Sequence, residues 1–117
     1  MNLNHHTVNE HFDNRAPEVK ATYAAILKAA KKLGPVSEEA KKTSIHLVRK
    51  TAFAGVATRK TALVLTLKSD SDVANKRIAR REQASAHRWH LEIKLEKPEE
   101  VDQELVGWLK KAYQLAG

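Results

Sequence analysis

Residues 44–67 read SIHLVRKTAFAGVATRKTALVLTL, the one stretch rich enough in β-branched and aliphatic residues to form the centre of a sheet. Its spacing predicts three strands, over 44–49, 53–58 and 62–67. Ile45 and Leu47 share one face by period-two alternation, as do Leu63, Leu65 and Leu67. What flanks this stretch must supply layers that cover it, or edges that end it.

Both kinds of flank are legible. Thr7-Val8-Asn9-Glu10 fits a capping box and predicts a short helix that Asp13-Asn14-Arg15 breaks. Pro17 suits the first position of a longer helix, in which Val19, Tyr23, Ile26, Leu27, Ala30 and Leu33 recur on one face until Gly34-Pro35 stops it. Residues 36–42 carry Glu38, Glu39, Lys41 and Lys42, charges that suit a sheet edge. After a polar loop over 68–72, a weak strand is expected around 77–82 and a stronger one over 87–95, where Trp89, Leu91, Ile93 and Leu95 alternate with Arg88, His90, Glu92 and Lys94. Pro98 is expected to open the last helix, with Val101, Leu105, Trp108, Leu109, Ala112 and Leu115 as its apolar stripe. Residues 1–117 therefore read as one α+β domain: a largely antiparallel five- or six-stranded sheet, two main helices on one face and a short N-terminal helix.

The opening TVNEHF, the PEVKATYAAILKAAKKLGPV helix, the KTSIHLVRKTAFAGVATRK strands, HRWHLEIKL and the closing EVDQELVGWLKKAY together resemble a family of small bacterial domains of unknown function, sometimes labelled predicted transport proteins. The resemblance spans nearly the whole chain and implies no catalytic residues. FAGVATRKTALVLTL and WLKKAY are also similar, at the level of fold, to double-wing domains related to DNA-binding proteins. Fold likeness of that kind does not fix function.

Several chemistries are disfavoured. The chain has no cysteine, so disulfides, thiolate metal sites and a cysteine nucleophile are excluded. Its longest uncharged apolar run, 62–67, is too short to span a bilayer, and the opening MNLNHHTVNEHF lacks the features of a secretory signal. A soluble, cytoplasmic protein without membrane partners is expected. There is no glycine-rich phosphate loop, nucleophile elbow or H-E-x-x-H motif, so neither a cofactor nor catalysis is expected. His5, His6 and His11 cluster in sequence, and His46 and His90 share a strand face, but no metal site is expected from them.

Charge is the positive signal. The formal net charge is +7; Lys and Arg exceed Asp and Glu by seven over 36–97 and fall short by two over 98–117. In an antiparallel meander successive turns alternate ends, which parts the two RKTA repeats at 49–52 and 59–62. The same logic gathers Lys41, Lys42, Arg59, Lys60, Arg80, Arg81 and Arg88 into one positive rim. Such a rim would bind nucleic acid or another phosphorylated partner through counterion release. The alternatives are a protein-interaction or homodimer surface on the wet sheet face, with Val48, Val64, His46 and His90, and a small-ligand pocket between sheet and helices. That pocket is suggested by Arg49, which parity with Ile45 and Leu47 turns inward as a buried anion site or as a partner for Glu10 or Asp102.

Overall fold

Pro17, its φ already in the helical range, opens helix α1 (Pro17–Lys31) in a computed structural model that describes residues 6–117. Before it, Thr7 and Glu10 form the expected capping box: Glu10 N–H donates to Thr7 Oγ1 at 3.3 Å and Thr7 N–H to Glu10 Oε1 at 3.1 Å. The helix it starts is a single 3-10 turn, Asn9–Phe12, because Asn14 takes a left-handed conformation (φ 60) that turns the chain into α1.

Six strands follow: β1 (Ser37–Ala40), β2 (Ile45–Val48), β3 (Ala52–Thr58), β4 (Leu63–Ser69), β5 (Ile78–Ser85) and β6 (Arg88–Leu95). They form one antiparallel sheet in the order β1-β2-β3-β4-β6-β5. The inner face carries Ile45, Leu47, Val56, Leu63, Leu65, Leu67, Leu91, Ile93 and Leu95, all at most 2% exposed. Helix α1 and helix α2 (Gln103–Leu115) cover it, burying Val19, Tyr23, Ile26 and Ala30 from one and Leu105, Leu109, Ala112 and Tyr113 from the other. A bulge between β2 and β3 pairs Val48 with Ala52 and Leu47 with Ala54; Phe53 lies between those pairs and is buried, edge-on against Tyr113 with ring centroids 5.2 Å apart. Tyr23 donates to Glu38 Oε2 at 2.5 Å; burial, and then that carboxylate, push its hydroxyl well above the usual phenol range, so it remains a donor.

Two features depart from the sequence expectation. The meander stops at β4. Residues 70–77 cross back along the molecule, so β6 lies beside β4 and β5 takes the edge. The reason is polarity: β6 buries Leu91, Ile93 and Leu95, whereas β5 is exposed at every position except Ile78 and can be stable only as an edge. The second departure is at Pro98, which opens a 3-10 turn, Pro98–Glu100, and not the last helix. Glu100 folds back to accept the N–H groups of Glu96 and Lys97 at 2.7 and 3.1 Å, and Asp102 then caps α2 by accepting Leu105 N–H at 3.0 Å.

Gly34, predicted to end α1, sits at φ 153, and a Cβ there would collide with the Tyr113 hydroxyl, which donates to the Pro35 carbonyl at 3.1 Å. Gly34→Ala is therefore expected to lower unfolding stability by roughly 2 kcal/mol, from backbone strain and displacement of Tyr113. Urea titration is the check, and a midpoint equal to wild type would show that the α1–β1 corner relaxes freely.

Candidate phosphate-binding end

The register sets what each end of the sheet can hold. The upper end is taken as the one carrying the β1–β2 and β3–β4 turns. Lys41 and Lys42 lie in the first of these and Arg59 and Lys60 in the second, on neighbouring parts of the sheet. The α1 N-terminus is fastened there by Ala16 N–H to the Lys60 carbonyl at 2.8 Å, which adds the positive end of a helix dipole.

Arg80, Arg81 and Arg88 are not at this end. Because β5 starts at the upper end, Arg80 and Arg81 pair with Glu92 and Leu91 in mid-strand, and Arg88 falls at the lower end beside the β5–β6 turn. Arg80 is held by Glu82 at 2.7 Å and Arg81 by Asp72 at 3.3 Å, while Arg88 donates to the His87 carbonyl at 2.8 Å. The seven-residue rim is thus corrected to its first four members.

What the sequence did not single out completes the group. Arg15, just past the left-handed Asn14, reaches back so that its Nε donates to Thr58 Oγ1 at 3.2 Å. Arg59 Nη1 donates to the Thr58 carbonyl at 3.2 Å. The buried Thr58 hydroxyl itself donates to the His11 carbonyl at 2.7 Å, and the His11 ring Nε2 lies 2.8 Å from the Lys41 carbonyl. One threonine therefore holds both guanidinium groups, that of Arg15 through its hydroxyl and that of Arg59 through its carbonyl. His6, Glu10, His11, Asp13, Arg15, Lys42, Thr43, Thr58 and Arg59 line a concavity of about 600 Å³. Among the described residues no carboxylate lies within 4.0 Å of the charged nitrogens of Arg15, Lys42 or Arg59; Lys41 is paired with Glu39 at 3.4 Å and Glu10 with His6 at 2.8 Å.

The acids of the last segment gather elsewhere on the same end. Arg77, at the start of β5, donates to Asp102 at 2.9 and 3.1 Å, to Glu104 at 3.1 Å and to the Glu100 carbonyl at 2.7 Å, with the Trp108 ring 5.8 Å away. The Asp102 hydrogen bond raises the Arg77 pKa further. Leu105 N–H, then Arg77, hold the Asp102 carboxyl below its usual value.

Arg49 corrects a second expectation. β2 ends at Val48, so strand parity does not extend to Arg49, which is exposed. Its guanidinium packs over the Tyr113 ring at 4.4 Å and donates to the Tyr113 carbonyl at 3.1 Å, which neutralises the C-terminal end of α2 without a carboxylate. Exposed and held in this way, Arg49 is not a buried charge and gives no argument for an anion pocket between sheet and helices. His46 and His90 do share the outer face, but β3 and β4 separate their strands. His5 lies outside the described residues, and among the described residues no group of three metal-ligating side chains occurs. No helix among them is long and apolar enough to cross a membrane.

Residues 8–116 match the family described as Domain of unknown function (DUF5655), and the chain belongs to that family. No curated protein and no solved structure matches it.

The Arg77 cluster predicts an acid-sensitive term in stability. A carboxyl with a lowered folded-state pKa stabilises in full above its usual value of 3.8, and that contribution is lost as pH falls through the lowered value. Asp102→Asn removes the charge while keeping a capping oxygen. The wild type is expected to exceed this variant by about 0.5–1 kcal/mol at neutral pH, after allowance for solvent screening, and the gap should narrow as the pH falls below 3.8 and through the lowered value. Paired urea titrations across that range decide it; a gap independent of pH would place the interaction outside Asp102.

Proposed function

We propose that the domain is a non-catalytic binding module whose upper end takes a nucleic acid or another phosphorylated partner. The observation that carries this reading is the convergence of Arg15, Lys42 and Arg59 on one concavity, with no carboxylate in ion-pair range among the described residues, flanked by Lys41 and Lys60. Uncompensated like charges in fixed positions cost free energy in the unliganded protein, and an anion removes that cost. Contacts of this type position a phosphate backbone without reading its bases. Few aromatics are free to stack: Tyr23, Phe53 and Tyr113 are in the core, and Phe12, Trp89 and Trp108 pack against it. Affinity would thus be mainly electrostatic, with little preference for sequence.

Anisotropy of a labelled single-stranded oligonucleotide should show binding at low salt, with log K falling against log salt at a slope of roughly −3 for four or five phosphate contacts. Lys42→Ala and Lys60→Ala should each reduce the slope by about 0.7, whereas Arg88→Ala should leave it unchanged. Binding that ignores salt, or that responds to Arg88 as strongly as to Lys42, contradicts the assignment.

A second reading has its own observation. The outer sheet face holds a shallow trough of about 310 Å³, where Gly55 and Ala57 leave space between His46, Thr66, Lys68 and His90. Such a bare face suits a protein partner or a second copy of the chain. Sedimentation over a wide concentration range tests the homodimer form, which a constant monomer mass eliminates.

A further inference from the structure

We infer that the concavity between the Asn9–Phe12 turn and the two upper sheet turns is a receptor for a phosphate monoester, gripped by Arg15, Lys42 and Arg59. The inference rests on the reading of the upper end as an anion-binding surface and adds to it a ligand class and a set of residues.

Its basis is the way the cations are held. A solvated rim of lysines accommodates any polyanion, because each side chain moves independently. Here Thr58 holds Arg15 through Nε and Arg59 through Nη1, which leaves both Nη atoms of Arg15 and Nη2 of Arg59 for a ligand. Thr58 is itself fixed: it is 9% exposed, and its hydroxyl donates to His11, whose ring bonds the β1–β2 turn at Lys41. Three segments distant in sequence are thereby locked around the same site. Planar guanidinium forks in fixed positions select terminal phosphate oxygens, which accept paired hydrogen bonds.

Charge and size agree with a monoester. At neutral pH a monoester carries between one and a half and two negative charges and presents three terminal oxygens, whereas a backbone diester carries one charge and two. Three cations converge on the site, and Lys42 and the Thr43 hydroxyl stand on the wall formed by the β1–β2 turn. The remaining wall is acidic: Glu10 is occupied by the Thr7 N–H and the His6 ring, and Asp13 stands beside Arg15 in the chain. A volume of about 600 Å³ exceeds a bare ion and admits the sugar and base of one nucleotide. The monoester can belong to the end of a strand or to a free nucleotide, and the chemistry at Arg15 is the same for both.

Two arms separate these sources. The first compares one labelled oligonucleotide with a 5′-phosphate or a 5′-hydroxyl. The second compares a nucleoside monophosphate with its nucleoside, by NMR shifts of the Thr58 and Arg59 amides. In at least one arm the phosphorylated form is expected to bind about tenfold tighter than its partner. Arg15→Ala should abolish that preference, bringing the 5′-phosphate and 5′-hydroxyl oligonucleotides to equal affinity while lowering the salt slope of both by about 0.7, and Arg15→Lys, which keeps the charge but loses the fork, should restore the slope but less than half of the preference. A preference in the first arm alone assigns the end of a strand, and one in the second alone a free nucleotide. If both oligonucleotides bind equally and the nucleotide shifts nothing, the monoester receptor is overturned while the salt-dependent rim stands. If no oligonucleotide binds and the nucleoside monophosphate does, the rim falls and the receptor stands. A preference that survives Arg15→Ala also overturns the inference.

Discussion

The architecture depends on one constraint: β5 has no face that can be buried. Arg80, Arg81, Glu82 and Gln83 occupy consecutive positions, so placing this strand between β4 and β6 would bury charge on the helix side. β6, with its alternating apolar face, takes the interior place. The chain must then return from the lower end of β4 to the upper end before β5 can start. It does so through a crossover that packs Val73 against the core and ends where Asn75 Oδ1 accepts Arg77 N–H at 2.9 Å. Arg77 fastens this arrival point to the cap of α2. A local polarity decision in eight residues thus sets both the strand order and the seat of the last helix.

The same decision divides the charges. Had β5 followed β4 directly, Arg80 and Arg81 would have joined the upper turns. Instead the upper end separates into an acidic side, where Glu100, Asp102 and Glu104 surround Arg77, and a basic side, where Arg15, Lys42 and Arg59 have no such partner among the described residues. Neutralised and uncompensated cations therefore lie on one end of one sheet. The first group holds the fold together through hydrogen bonds that it satisfies itself. In the second, Thr58 holds Arg15 and Arg59 through one bond each and leaves their other guanidinium nitrogens outward.

Much of this was legible in the residues. The alternation from Trp89 to Leu95, the periodic face of α1 and the Thr7–Glu10 box each depend on neighbours close in sequence, and each stands where the spacing put it. The separation of the two RKTA repeats followed from antiparallel geometry: their turns lie at opposite ends of β3. Strand order does not follow from an antiparallel meander, because the polarity of the fifth strand suits it only to an edge. Parity does not place Arg49, because it holds only while the strand continues, and the chain turns after Val48, with Arg49 N–H bonded to the Thr51 carbonyl at 3.0 Å. Arg15 had no sequence signal. Its role arises from a contact across 43 positions and from the left-handed turn at Asn14.

The central claim is that ligand phosphate meets this protein at the upper basic side. It is tested most directly by mapping amide shift changes across the chain during titration with a 5′-phosphorylated oligonucleotide at low salt. The account predicts that the largest changes fall on residues 11–15, 41–44 and 58–60, with β5 and the β5–β6 turn unaffected. Changes centred on Arg49, Lys68 and Arg88, or spread over the outer face around Gly55 and Thr66, would contradict it.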